Sequence, residues 1–411
     1  MKLRNTPASR CAILACAVGL SCCAGLKAAP GDFVDVFVAE GSGGLNGPGS
    51  FKFGPDGNLY VPSFFSGTVL VYDGATGGFL RQLVGPASGG PAILPEQVGF
   101  GPDGLLYVGS YADDSLGGEG AILRYDAATG DFIDVFVPDI RNPDSIVFGP
   151  DGYLYTTSDF VEIYDPLTGY FVDGLFAAGL ESPEGVAFGP DGNLYVANYG
   201  GDEVLRFDTM TGRLIDSFVP PESGGLLRPD DLTFGPDGNL YVSSRSRGSV
   251  LRYDGTTGAF LDRYLRGGVA TPEGLAFGPD GQLYIGGESA DSIFRFEGPG
   301  RIGDTNGDRL VDIDDVNAVR NHFGATGADD GTLAGDAYPW DGLVNIDDLN
   351  AVRNNFGTGT AAVPEPEPGA GLLIFGAMAF LLTRRRAGQN QRMMEEAPCK
   401  GGAKTRRLNV P

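Results

Sequence analysis

One nine-residue stretch, Phe188-Gly-Pro-Asp-Gly-Asn-Leu-Tyr-Val196, constrains this chain more than any other feature. Its opening Phe-Gly-Pro-Asp-Gly occurs six times, with the phenylalanine at Phe53, Phe100, Phe148, Phe188, Phe234 and Phe277. Proline presets φ for the first corner of a turn, and glycine accepts the positive φ that follows. The Leu-Tyr-Val that comes next suits a pleated strand. Each copy therefore reads as strand, tight turn, strand. The spacings of 47, 48, 40, 46 and 43 residues fall in the range of propeller blades.

Around the copy at Phe188 the first strand is Gly185 to Gly189 and the second Leu194 to Asn198. A third follows at Glu203 to Asp208, a Thr211-Gly212 turn, and a fourth at Arg213 to Val219. The third-strand pattern returns as Leu70-Val-Tyr-Asp73, Leu123-Arg-Tyr-Asp126, Ile163-Tyr-Asp165, Leu251-Arg-Tyr-Asp254 and Phe294-Arg-Phe-Glu297. Four short antiparallel strands make one blade, and radial repetition leaves few open edges. The sixth repeat stops at Glu297-Gly-Pro299 without a fourth strand. The missing piece stands at the other end: Gly31-Asp-Phe-Val-Asp-Val-Phe-Val38 nearly copies the fourth strand Gly130-Asp-Phe-Ile-Asp-Val-Phe-Val137. The expected fold is an all-β six-bladed propeller over 31–299, closed by its own N-terminus, which removes an aggregation-prone edge.

Composition narrows the chemistry. The chain has 53 Asp+Glu against 29 Lys+Arg, a formal charge of −24, and both ends are basic, so the acid excess is in the middle. Such a surface repels nucleic acid and attracts cations. The five cysteines, Cys11, Cys16, Cys22, Cys23 and Cys399, lie in the leader and tail, so the central region forms no disulfide of its own. The single histidine, His322, is outside the propeller, which excludes histidine chemistry there.

A Pro-acid pair precedes five of the repeats: Pro95-Glu96, Pro143-Asp144, Pro183-Glu184, Pro229-Asp230 and Pro272-Glu273, with Pro48-Gly49 in the first. If the first strand begins at the channel mouth, five acids converge there. Two readings stay open: a calcium or cationic-ligand site, since carboxylates are hard oxygen ligands, or capping of backbone N–H groups within each turn. The repeats resemble the NHL-repeat and gluconolactonase-like propellers. That resemblance implies calcium held by Glu, Asn and Asp, for which Glu96, Asp144 and Asn198 are the nearest positions. Lyases of similar shape use a channel histidine, which this propeller lacks. Near-identical blades favour binding over catalysis, because catalysis needs residues that break the repeat.

Other segments flank the propeller. Residues 1–29 have Lys2, Arg4 and Arg10 before an apolar run from Cys11 to Leu26, the shape of a secretory signal. Beyond Gly303, Asp304, Asn306, Asp308, Asp312 and Asp315 occupy positions 1, 3, 5, 9 and 12 of a calcium loop, with the Leu310 carbonyl at 7. A helix is expected next, with Val316, Val319 and Phe323 on one face and Asp315 as its N-cap. A second unit repeats the pattern with Asp341, Leu343, Asn345 and Asp348. Ala337 and Pro339 hold its positions 1 and 3, and Asp336 reaches only with one extra loop residue, so its site should be weaker. The pair resembles a dockerin domain over 302–357. This implies folding on Ca²⁺ and docking of a cohesin-like or other surface protein. Ile313-Asp314 and Ile346-Asp347 replace the hydroxyl pairs of cellulosomal dockerins, pointing away from a cellulosomal cohesin.

A linker, 358–368, contains Pro364-Glu365-Pro366. It precedes an apolar run within 369–386 that ends in Arg384-Arg385-Arg386. This order resembles the PEP-CTERM sorting signal and implies an exosortase-type enzyme, a membrane segment and a polysaccharide-rich setting. The tail 387–411 extends beyond where that family usually stops. Together these features predict an exported protein of the cell envelope or matrix: a binding propeller, a calcium module and a sorting tail. The alternative is a calcium-dependent lactonase- or glycan-active enzyme in a polysaccharide-degrading assembly.

Overall fold

A computed structural model describes residues 29–111, 120–175, 179–265, 268–300, 313–323, 344 and 346–355. The described strands form six four-stranded antiparallel sheets, one per repeat. In the fourth blade the strands are Pro183–Phe188, Leu194–Asn198, Glu203–Asp208 and Arg213–Val219, hydrogen-bonded in that order. The last three match the sequence reading. The innermost strand starts two residues earlier than expected, because Pro183 already pairs with Asn198.

The sixth sheet is completed from the far end of the chain. Phe33–Val38 pairs antiparallel with Ser292–Phe296, with Phe33 opposite Phe296 and Asp35 opposite Arg295. The Arg295 guanidinium clasps Asp35 with two bonds, Nε to Oδ1 at 3.1 Å and Nη2 to Oδ2 at 2.6 Å. Arg124–Asp134, Arg206–Asp216 and Arg252–Asp262 make the same clasp between third and fourth strands elsewhere. Strand-closing chemistry is thus identical whether the partner is local or 260 residues away.

The repeat also fixes how blades meet. The Asp of each Pro-Asp-Gly turn accepts a hydrogen bond from the tyrosine hydroxyl four residues on, as in Asp191–Tyr195 at 3.1 Å and Asp237–Tyr241 at 2.8 Å. Each of these tyrosine rings is buried, so an unpaired hydroxyl would be costly. Each ring then meets, edge to face, the Phe-Gly-Pro-Asp-Gly phenylalanine of the next blade. Tyr60–Phe100, Tyr107–Phe148, Tyr155–Phe188, Tyr195–Phe234 and Tyr241–Phe277 are 4.9–5.1 Å apart. The last contact, Tyr284 on Phe53 at 4.9 Å, returns to the first blade. T-shaped packing is the preferred aromatic geometry and adds stability beyond area burial. Six such contacts form an unbroken girdle.

After the propeller come two helices, α1 (Ile313–His322) and α2 (Ile346–Asn355). Val319, Val344, Ala351 and Val352 form a small core, with Val316 and Leu349 packed against it. The expected apolar face is corrected at Phe323, which is 58% exposed and lies just past the end of α1. Among the described residues no helix is long and apolar enough to cross a membrane. The expected signal segment, linker, apolar run and Arg384–Arg386 cluster lie outside the described residues.

Candidate functional site

The six inner strands stand side by side around the propeller axis. At their starting end the acids Glu96, Asp144, Glu184, Asp230 and Glu273 come together, as their mutual electrostatic influence shows. The gap at Gly49 has a steric cause. A Cβ there would lie 2.1 Å from the Glu96 carbonyl oxygen, where Ser50 N–H donates to that oxygen at 2.9 Å. The first two inner strands approach too closely for a sixth side chain. One step along each strand the axis narrows again. A Cβ on Gly185 would lie 2.8 Å from the Asp230 carbonyl oxygen, and one on Gly274 3.0 Å from that of Gly49. There the buried Asp231 carboxylate accepts from Leu275 N–H at 3.0 Å and from Leu232 N–H at 2.8 Å, tying two blades together. Below the acids the axis is pinched, so the mouth is a cup.

A second set of residues shares one offset in the repeat and supplies four members to this mouth. Eleven residues after each repeat phenylalanine stand Phe64, Tyr111, Asp159, Tyr199, Arg245 and Glu288. Four of these line a cavity of about 160 Å³ together with Phe65, Glu96 and Glu273. Phe64 packs edge to face on Tyr111 at 5.5 Å and on Phe65 at 5.2 Å, forming an aromatic wall on the side of the first two blades. Tyr111 also donates its hydroxyl to Asp144. Opposite, Arg245 bonds Asp230 and Glu273 at 2.9 Å each and Glu288 at 2.5 Å. Nothing in the repeat announces this set, since its members share only an offset.

Electrostatics follow from six carboxylates around one guanidinium. Burial, then the facing charge of Asp230, pushes Glu96 up to about 8, and the same two causes bring Glu184 to about 8. Burial and then Glu184 raise Asp144 to about 10. Burial followed by Glu96 holds Glu273 well above the usual carboxylate range. Asp230 rises only to about 6, because Arg245 opposes the effect of burial. Burial would lower the Arg245 guanidinium, but Glu273 and Asp230 outweigh it and keep it charged.

The positions suggested by the family resemblance separate here. Glu96 and Asp144 belong to the cup. The buried Asn198 side chain is engaged in its own loop: Glu181 N–H donates to Oδ1 at 2.7 Å, while Nδ2 donates to Gly179 O at 2.7 Å and to Glu203 Oε1 at 3.0 Å. It performs the task of Ser63, Ser110 and Ser244, whose hydroxyls accept from Asn46, Leu94 and Leu227 N–H at the same place in other blades. Among the described residues no three Asp, Glu, His or Cys side chains are gathered to hold a metal ion.

In the helical pair, Asp315 lies within the first turn of α1 and is fully buried, so it is not the N-cap that the sequence suggested. Unsatisfied N–H groups and the positive end of the helix dipole favour a carboxylate in that turn. Asp304, Asn306, Asp308, Leu310, Asp312, Asp336, Asp341, Leu343 and Asn345 lie outside the described residues, and for Asp348 only the helical backbone is described.

Fold and site together define a six-bladed β-propeller with an acidic, arginine-braced cup at one end of its axis. Among solved structures, the chain is similar to regucalcin, a calcium-binding protein from Agrobacterium tumefaciens. That match has 18% identity and a TM-score of 0.50, and covers 66% of this chain and 98% of that one. A protein described as a gluconolactonase matches at 17% identity and a TM-score of 0.49, over 62% and 89%. Virginiamycin B lyase from Staphylococcus aureus matches at 18% and 0.43, over 61% and 80%. At such identities the likeness is one of fold. No protein-family model matches the chain, and no curated protein sequence does.

Proposed function

We propose that this chain is an exported protein of the cell envelope or matrix whose propeller recognises a ligand without transforming it. In this reading the dockerin-like unit, 302–357, binds Ca²⁺ and docks a cohesin-like or other surface protein. The Pro364–Pro366 motif, the apolar run and Arg384–Arg386 direct exosortase-type sorting through a transient membrane anchor. One observation carries the choice of recognition over catalysis: the mouth residues that break the repeat are engaged with one another, Arg245 with Asp230, Glu273 and Glu288 and Phe64 with Phe65 and Tyr111, above a uniform scaffold. Diversity on a rigid frame is how repeat folds acquire specificity.

The calcium half of the reading is tested by capturing surface proteins of the source cell on immobilised full chain, with Ca²⁺ and with chelator. Calcium-dependent capture that Asp312→Ala abolishes is expected. Capture indifferent to both would overturn it. The competing reading, a calcium-dependent lactonase- or glycan-active enzyme, is favoured by Glu96, a cup carboxyl raised into the range of a general acid or base. It requires lactone or glycan turnover that Glu96→Gln removes.

A further inference from the structure

The cup is lopsided, and its lopsidedness indicates what it could hold. On one side Arg245 is bonded to Asp230, Glu273 and Glu288. On the other side Glu96 lines the cavity beside Phe64, Phe65 and Tyr111, and among the described residues no hydrogen-bond donor reaches its carboxylate. Among the described residues, Arg245 is also the cation that acts on Glu96, Asp144 and Glu184 together. The protein has thus supplied a cation to half of the cup and left the other half with a carboxylate under an aromatic wall.

We propose that this open half binds a small organic cation, an alkylammonium or quaternary ammonium group, seated between the Phe64–Phe65–Tyr111 wall and the Glu96 carboxylate. The proposal rests on reading the propeller as a recognition scaffold. Aromatic faces attract soft, weakly hydrated cations through the ring quadrupole, and the attraction grows as water is excluded. A hard divalent ion would instead need several oxygens converging at ~2.4 Å, and the described carboxylates are not so gathered. Size agrees. A cavity of about 160 Å³ matches the roughly 150 Å³ that accepts one benzene, and a trimethylammonium head is of comparable bulk. A carboxylate facing an aromatic box also gives the charge a partner without a metal's geometry.

The test is calorimetric titration of the full chain with tetramethylammonium chloride at about pH 9, above the raised value of Glu96, where its carboxylate is ionised. Tert-butanol serves as the uncharged analogue and calcium chloride as the hard-cation arm. Saturable one-to-one binding of tetramethylammonium is expected, with tert-butanol at least about tenfold weaker. Phe65 is 62% exposed, so Phe65→Ala keeps the fold, checked by an unchanged melting temperature; it should weaken binding by about two- to thirtyfold. Glu96→Gln should weaken it at least as much, while Asp312→Ala, in the calcium loop, should leave it unchanged. No saturable binding by the folded protein, equal affinity for tert-butanol, or affinity indifferent to both cup variants would overturn the proposal. So would a calcium signal that Glu96→Gln abolishes, since the cup would then be a metal site. Loss of ammonium binding with calcium-dependent partner capture intact would sink this inference alone and leave the docking reading standing.

Discussion

Two regions of the propeller are made by the same strands under opposite rules. In the girdle, six tyrosines, six phenylalanines and six turn aspartates repeat the same contact, and ring separations differ by only 0.2 Å around the circle. At the mouth, one offset holds Phe64, Tyr111, Arg245 and Glu288, no two alike. The girdle faces packed protein, where a change of one methylene is felt. The mouth faces a cavity, where a side chain is free to differ. Repetition marks what holds the fold, and variation marks what meets the outside.

The strongest way to break this contrast is to open the girdle. Removing residues 30–38 deletes the closing strand, including buried Phe37 and Val38. A loss of about 5 kcal/mol or more is expected, lowering the melting temperature by roughly 10–20 °C. An unchanged melting curve would mean that the ring does not depend on its closure.

Next in size is Arg245→Met, which leaves buried Asp230 and Glu273 without their cation. Breaking a buried pair costs about 3–5 kcal/mol. The loss should be largest near pH 8 and smaller near pH 5.5, where the cup carboxyls hold protons. A pH-independent loss would show that Arg245 acts through packing.

The native protein should show a related trend. Glu96 and Glu184 have folded values near 8, above those of an unfolded carboxylate. Their folded forms bind more protons, so the stability they contribute is complete below about pH 4.5 and is lost as pH rises towards 8. A melting temperature that falls between pH 5.5 and 8.5, less steeply in Glu96→Gln, is expected. A rise over that interval would contradict the described cup.

The smallest effects sharpen the comparison. Tyr→Phe at any one of the six girdle tyrosines removes one hydroxyl bond, about 1 kcal/mol, and the cost should be nearly the same in every blade. Widely unequal costs would mean that the girdle is regular in geometry but not in energy.

The girdle was largely legible in the sequence because its residues recur. Spacing of the Phe-Gly-Pro-Asp-Gly element indicated the blades, and the duplicate of 130–137 at 31–38 indicated where the last strand comes from. Less visible was why the turn carries Asp. Its tyrosine partner lies four residues on, across the turn, and pairing is apparent only once both strands are folded. The mouth was half legible. The Pro-acid pairs repeat, so Glu96 to Glu273 were found, whereas Arg245 and the aromatic wall do not repeat and were missed. Reading the eleventh residue after each phenylalanine would have located them. Phe323 misled because it continues the helical spacing of Val316 and Val319 past the point where α1 ends.

Calcium stoichiometry, measured by titration of the full chain, tests most directly the proposal that calcium binds in the loop–helix units and not in the arginine-braced mouth. The prediction is one tight and one weaker ion, both lost when Asp312, Asp315, Asp341 and Asp348 are all changed to Ala, and both kept in Glu96→Gln. An ion that survives the four loop substitutions and disappears with Glu96→Gln would contradict it.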